Sequence, residues 1–250
     1  MKKKISIIIA TYNAETTLER CLESIISQKT EDIEILVIDG LSTDKTMDVV
    51  RSKGNQIDFS LSERDEGIYD AWNKAIKESH GEWIMFLGAD DYLMKGSVRI
   101  YLDFISHIDR NEIDIVCALG QFCNFDGKVI KEIGKPYNYD KFKKYMNVVH
   151  GAMLHNSNLF RELGPFNVNY KICADYDFLL RRPLRAEFIN QPLIRIQTGG
   201  VSFSVKMLVE TFWIKRDAKC SPLLADCYYF FKGLVSLEIK KLIQKIILVK

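Results

Sequence analysis

No glycine-rich turn follows the first apolar run of this 250-residue chain, and no P-loop motif occurs anywhere in it. The first absence argues against a nicotinamide or flavin dinucleotide site, because the tight turn and the close approach of pyrophosphate need glycine there. No two cysteines are spaced Cys-x-x-Cys, so the common zinc and thioredoxin-like patterns are missing. The six cysteines (21, 117, 123, 173, 220 and 227) sit mostly among apolar neighbours. They read as reduced, buried thiols of a cytoplasmic protein rather than a disulfide framework. No apolar run approaches the roughly 20 residues of a bilayer-spanning helix. The start Met1-Lys2-Lys3-Lys4 is basic, but Ile5–Ala10 is too short for a signal-peptide core and reads as a strand. Charge of one sign is also lacking. The net value of +2 argues against a dedicated nucleic-acid partner, although residues 206–250 alone carry about +5.

What remains is 47% hydrophobic and 11% aromatic, ample for a large core. The first half alternates strand and helix. Strands are expected at Ile5–Ala10, Ile33–Ile38, Ile57–Ser62 and Trp83–Leu87. Helices are expected from Thr16 to about Gln28, after a cap at Ser42 or Thr43, from Tyr69 to Ser79, and from about Ser97 to His107. Such alternation implies a mainly parallel, doubly wound sheet. Ile113–Phe125 and Lys128–Ile133 flank Asp126-Gly127, a hairpin signal, so antiparallel strands extend the sheet. Short helices are expected at Asn158–Leu163 and Asp175–Arg182, and everything past about Ser204 reads as helical.

The candidate chemistry sits at strand ends. Thr11-Tyr12-Asn13 follows the first strand and Asp39 ends the second, and both loops face one crevice in a doubly wound sheet. A ring that stacks and a carboxylate that accepts an imino proton suit a nucleobase. Taken singly, Tyr12 is equally an edge aromatic and Asp39 a turn residue. Asp90-Asp91 follows five apolar residues and the small pair Gly88-Ala89, where two carboxylates can hold a hard divalent cation against a diphosphate. Ala174-Asp175-Tyr176-Asp177 supplies a separate carboxylate that can act as general base. By spacing alone a helix cap is the better reading of Asp175. His150 and His155 lie near the same region; the first suits substrate hydroxyls and the second suits the core.

The ordered segments Ile7–Asn13, Val37–Thr46 and Asp65–Ala75 resemble the nucleotide-sugar half of family-2 inverting glycosyltransferases, and Phe86–Asp91 resembles their metal motif. His150–Met153, Gly164–Phe166 and Ala174–Arg181 resemble their acceptor half, so the likeness spans roughly residues 4 to 203. It implies the GT-A fold: an α/β, doubly wound, mainly parallel sheet with an antiparallel extension and C-terminal helices. A GT-A domain is expected over 1–203, its nucleotide-sugar half about 1–95 and its acceptor half about 96–203, followed by a helical extension over 204–250.

The same likeness implies roles. Thr11, Tyr12 and Asp39 hold the nucleoside, Asp90 meets ribose or metal, and Asp91 ligates Mn²⁺ or Mg²⁺. Asp175 is the catalytic base, with Asp177 and His150 as donor-sugar or acceptor contacts. Gly88 replaces a further acid of many relatives, Trp72 stands where arginine is frequent, and Arg195-Ile196-Gln197 lacks a histidine. Gly199-Gly200-Val201-Ser202 resembles a segment that closes over the diphosphate. The expected reaction passes a sugar from a nucleotide diphosphate-sugar, UDP-linked by preference, to a glycan or lipid-linked hydroxyl in bacterial surface polysaccharide or lipopolysaccharide assembly. A sugar nucleotidyltransferase and a non-catalytic nucleotide- or carbohydrate-binding module are the alternatives. The C-terminal stripe of Val235, Ile239, Leu242, Ile243 and Ile246, with lysines beside it, suits peripheral contact with the inner face of the cytoplasmic membrane. Packing on its own domain and a homo-oligomer contact are the other uses of that stripe.

Overall fold

Runs of isoleucine and valine near the N-terminus form strands buried on both faces, as a parallel sheet covered by helices requires. The computed structural model describes residues 3–124, 126–198 and 204–248, with side chains described up to residue 238. Strand β1 (Ile5–Thr11), helix α1 (Leu18–Ile26), β2 (Ile33–Asp39), α2 (Thr46–Ser52), β3 (Phe59–Ser62), α3 (Ile68–Glu78) and β4 (Trp83–Gly88) follow the expected alternation. Next come β5 (Tyr92–Leu93), α4 (Ser97–Ser106), β6 (Ile115–Cys123), β7 (Val129–Ile133), α5 (Tyr139–Phe142), β8 (Met153–Asn156) and α6 (Asn158–Glu162). The chain ends with α7 (Ala174–Leu180), β9 (Ala186–Gln197), α8 (Val205–Asp217) and α9 (Leu223–Leu248).

One sheet runs in the order β3-β2-β1-β4-β8-β6-β9-β5, with β7 paired to β6. The β3-β2-β1-β4 half is parallel throughout, while β8 joins β4 and β6 antiparallel. Alternate side chains of each strand feed two cores. Ile5, Ile7 and Ile9 pack with Leu18, Leu22 and Ile25 of α1 on one face. Ile8, Leu36 and Phe86 pack with Tyr69, Trp72 and Ala75 of α3 on the other.

One sequence expectation is corrected, and two strands were not foreseen. The cap of α2 is not a Ser42 or Thr43 side chain; the helix starts at Thr46, whose amide donates to Asp44 at 3.0 Å, while Ser42 turns back to Asp39. Strand β9 was not foreseen, because Asn190-Gln191-Pro192 in its middle carries turn chemistry. The register against β6 jumps from Ile189 opposite Ala118 to Pro192 opposite Leu119, so a bulge takes up the extra residues and spares the ladder a missing donor. Strand β8 is four residues long and contains His155 and Asn156, too short and polar to show periodicity. Gly199–Ser202 and the side chains of Ile239, Leu242, Ile243 and Ile246 lie outside the described residues.

The start of β6 is pinned to the start of β9 through Asp114, which is 3% exposed. Both Arg182 Nη atoms donate to it, at 2.8 and 3.2 Å, and so do the Arg185 amide at 2.8 Å and Nη2 at 2.9 Å. Burial alone would raise this carboxyl, but the arginine bonds outweigh it and hold it well below the carboxylate range. Its stabilising contribution is therefore present above the unfolded value near 4 and fades as pH falls below it. Asp114→Asn is expected to cost about 2–3 kcal/mol at pH 7, less than a fully buried pair because both arginines reach solvent. Urea unfolding checks this, and the gap to wild type should narrow at pH 3.

Candidate active site

The C-terminal ends of the parallel strands lie in one row: Thr11 pairs with Asp39, Asp39 with Ser62, and Ala10 with Gly88. That edge is where an open α/β sheet presents its ligand crevice. Asp39 is fully buried there. Thr11 and Ser42 hydroxyls donate to Oδ1, while the Ser42 amide (3.0 Å) and the Ser62 hydroxyl (2.7 Å) donate to Oδ2. Burial would raise its carboxyl, but these four bonds prevail and hold it below the usual range. A carboxylate has about four acceptor positions, and all are taken. The free acceptor expected from the sequence is thus a buried tie between three strands, and a base reaches it only by displacing a hydroxyl.

The loops above this tie are stitched together. Asn13 Oδ1 accepts from the Thr43 amide at 2.9 Å, the Ala14 amide donates to Thr46 Oγ1 at 2.7 Å, and the Lys45 amide donates to Glu15 Oε2 at 2.9 Å. Asn13 (φ 48°) and Leu41 (φ 60°) are held in the left-handed region, which a bulky residue such as leucine avoids unless its surroundings force it. Tyr12 projects from this frame, 67% exposed. With Thr11, Gly40, Arg64, Asp65 and Ile68 it lines a cavity of about 410 Å³. A Cβ at Gly40 would stand 2.6 Å from Asp65 Oδ2, so glycine is required for that carboxylate to close in.

Asp90 and Asp91 leave β4 in a tight turn, with Asp90 exposed and Asp91 part-buried. A side chain at Gly88 would crowd both, at 2.9 Å from Asp90 Oδ1 and 3.0 Å from Asp91 Oδ2, which explains the absence of a third acid at that position. The turn is clamped from three elements. Arg20 of α1 donates to the Asp90 carbonyl at 2.9 Å and to Gln197 Oε1, and its guanidinium lies 4.5 Å above the Tyr92 ring. The Gln197 amide, at the end of β9, donates to Asp91 Oδ1 at 3.1 Å. Burial, then the neighbouring Asp90, push the Asp91 carboxyl up to about 8. Among the described residues no three His, Cys, Asp or Glu side chains form a metal cage. The donor set nonetheless fits a hard cation: two crowded carboxylates, with the remaining coordination open to ligand oxygens, as Mg²⁺ sites commonly have.

Asp175 sits in the first turn of α7, behind Cys173, which holds the cap position. The Tyr69 hydroxyl and the Tyr176 amide both donate to its Oδ1 at 2.9 Å, so Oδ2 takes no part in either bond. Burial pushes its carboxyl up to about 6, against the lowering effect of the Tyr69 bond. Asp177, by contrast, is engaged by Arg181 at 2.7 Å, and Arg181 also donates to the Leu163 and Pro165 carbonyls. It anchors α7 to the Gly164-Pro165 turn.

A run of contacts links Asp175 to Asp91. Tyr69 meets Trp72 edge-on at 5.2 Å, Trp72 stacks on His150 at 5.3 Å, and the Cβ position of the next residue, Gly151, lies 4.0 Å from Asp91 Oδ2. His150 is also stacked on Phe86, and burial pushes it down to about 3, so the ring is neutral. His150 Nε2 and Trp72 Nε1 are buried without a hydrogen-bond partner among the described residues. His155 is fully buried, with Nδ1 3.3 Å from the Ile84 carbonyl.

The sequence reading missed Arg20, Arg64, Asp65 and Tyr69 as site residues. Asp65 and Tyr69 fall inside the recognised Asp65–Ala75 segment, but Arg20 lies on an ordinary amphipathic helix and carries no local signal.

The profile described as Glycosyl transferase family 2 matches residues 6–165. A PGL/p-HBAD biosynthesis glycosyltransferase of Mycobacterium bovis is 32% identical over 180 residues, covering 70% of this chain and 68% of that protein. Staphylococcus aureus TarS 1–349 in complex with UDP-GlcNAc superposes with a TM-score of 0.69 at 17% identity, covering 92% of this chain and 71% of that one; the chain spans 43% of the longer TarS structure. The mannosyltransferase PcManGT of Pyrobaculum calidifontis, in complex with GDP-Man and Mn²⁺, gives 0.68 at 16% identity, covering 96% and 74%. With these matches and this strand order, the chain belongs to glycosyl transferase family 2 and has the GT-A fold.

Proposed function

We propose that this protein is an inverting glycosyltransferase that moves a sugar from a nucleotide diphosphate-sugar, UDP-linked by preference, to a hydroxyl of a glycan or lipid-linked acceptor. The observation that carries this is the run of contacts linking the Asp90-Asp91 turn to Asp175 through Tyr69, Trp72, His150 and Gly151. The nucleoside lies against Tyr12 in the cavity closed by Gly40, Arg64 and Asp65, with Thr11 and Asp39 ordering its floor. Asp91 and Asp90 hold Mn²⁺ or Mg²⁺, which supplies charge neutralisation for the departing diphosphate. Trp72 and His150, whose Nε1 and Nε2 atoms are buried, stiffen the path between the two carboxylate sites.

Asp175 Oδ2 takes the acceptor proton as the oxygen attacks the anomeric carbon. The new carbon–oxygen bond forms on the face opposite the breaking bond to phosphate, which inverts the centre. The proton rests on Asp175 and returns to solvent after release of the nucleoside diphosphate. Base and leaving-group site are fixed in place before reaction, where preorganised electrostatics act most strongly. Relatives named for PGL/p-HBAD biosynthesis and for poly(ribitol-phosphate) N-acetylglucosaminyl transfer favour bacterial surface glycan assembly. Among the described residues no helix is long and apolar enough to cross a membrane. The exposed apolar residues Val205, Val209 and Trp213 of α8, and Leu224, Tyr228, Phe231 and Val235 of α9, favour peripheral contact with the cytoplasmic membrane face.

A thermal-shift series with UDP-, GDP- and TDP-sugars tests the donor. One nucleotide class is expected to raise the Tm by several degrees with Mn²⁺ present and little without it; saturation at 100 times Kd contributes about 2.7 kcal/mol. No shift with any donor, or pyrophosphate release from a sugar phosphate and a nucleoside triphosphate, would count against transfer.

A further inference from the structure

Beside Asp175, on the side of α7 facing the C-terminal helices, lies a second cavity of about 500 Å³. Its volume is in the range of small-molecule sites, roughly 300–1,000 Å³. Met146, Ile172, Met207, Leu208, Phe212 and Phe230 contribute to its lining a soft thioether and aromatic surface that adapts to a flexible apolar guest. Polar groups are few and placed. Asp175 enters the lining from α7, and Lys144 and Lys232 enter it from the loop after α5 and from α9, both exposed to solvent. Lys215 also borders it, 2% exposed, but is already matched by Asp226 at 3.7 Å and by the Tyr229 ring at 4.9 Å.

We propose that this cavity holds the apolar segment of an anionic amphiphile, the acceptor itself, with Lys144 and Lys232 at its edge meeting the anionic group. The inference rests on Asp175 being the base, since only then does a guest in this cavity bring its hydroxyl to the reacting carboxylate. Three features point the same way. An open cavity with so little polar lining gains by excluding water from a hydrocarbon guest. Lysines from two different elements converge on it while the segment from residue 206 onward carries about +5. Its outer wall is α8 and α9, the helices that carry the exposed apolar residues Val209, Trp213, Leu224 and Phe231. A purely polar oligosaccharide would leave this surface without complementary contacts.

Decyl phosphate, kept below its micelle concentration, is the probe, and binding is read by calorimetry. Wild type is expected to bind it. Leu208→Trp, which fills the cavity, should weaken binding at least tenfold, and Lys144→Glu with Lys232→Glu should weaken it severalfold while sparing a neutral decyl glycoside. The donor-induced Tm shift, measured in the same samples, should be unchanged in all three proteins, which separates a failed cavity from a misfolded variant. Equal binding to wild type and Leu208→Trp, or no binding to wild type at millimolar probe, overturns the proposal. If decyl phosphate behaves as expected but Asp175→Asn retains full transfer, the cavity is a lipid site and the base assignment is what fails.

Discussion

Asp175→Asn is expected to lower transfer about 10³-fold, within the range for removal of a positioned general base, while the donor-induced Tm shift persists. The loss falls on turnover because Asp175 Oδ2 acts on the acceptor proton, and asparagine offers no basic atom in that place. In wild type the rate should rise with pH and level off above about 6, the value to which burial raises this carboxyl. Tyr69→Phe removes a hydrogen bond that favours the charged form, so it should move this limb to higher pH without abolishing activity. Stability should move in the opposite direction from rate. The folded carboxyl titrates above its unfolded value near 4, so ionisation costs the fold little at pH 4, a growing amount up to about pH 6, and a constant amount above it. Asp175→Asn should therefore melt a few degrees higher than wild type at pH 7 and at the same temperature at pH 4. A variant that keeps wild-type transfer rates, or a flat wild-type profile between pH 5 and 7, would exclude this role.

The second large effect is expected at Asp91. Asp91→Asn should reduce turnover about 10²–10³-fold, the scale seen when one electrostatic stabiliser of a developing anion is removed. It should also abolish the Mn²⁺ dependence of the donor thermal shift. Asp90→Asn should be milder, because part of that residue's role is carried by its carbonyl, which Arg20 binds. The carboxyl of Asp91 is disfavoured as an anion by burial and by Asp90, so the variant's fold should be intact or slightly firmer. Cation-dependent stabilisation that survives in Asp91→Asn would place the metal elsewhere.

Much of this site could be read from sequence because its parts are local. Four parallel strands end in Thr11, Asp39, Ser62 and the Gly88 turn, and period and strand length determine which residues reach the crevice. The doubly wound, mainly parallel sheet follows from the same alternation, whereas the GT-A arrangement was implied by the resemblance of the ordered segments. What stayed hidden depends on distant partners. Asp39 was expected to meet a base; its saturation depends on Thr11 and Ser62, strand ends 28 and 23 positions away in sequence, as well as on nearby Ser42. Arg20 reaches Asp90 across 70 positions, and Tyr69 reaches Asp175 across 106. No local pattern encodes such pairs. Strand β9 was lost for a different reason: a proline at a bulge looks like a loop until its partner strand is known.

The rim of the nucleoside site, with Asn13 and Leu41 held at positive φ by cross-loop bonds, has a kinetic consequence. Each such residue stores on the order of 1 kcal/mol or more of backbone strain, sustained by the fold whether or not a donor is present. The slot is thus shaped before any encounter, and no loop has to freeze as the donor settles. Discrimination among nucleosides should then act at first collision, by steric rejection, rather than through slow rearrangement afterwards.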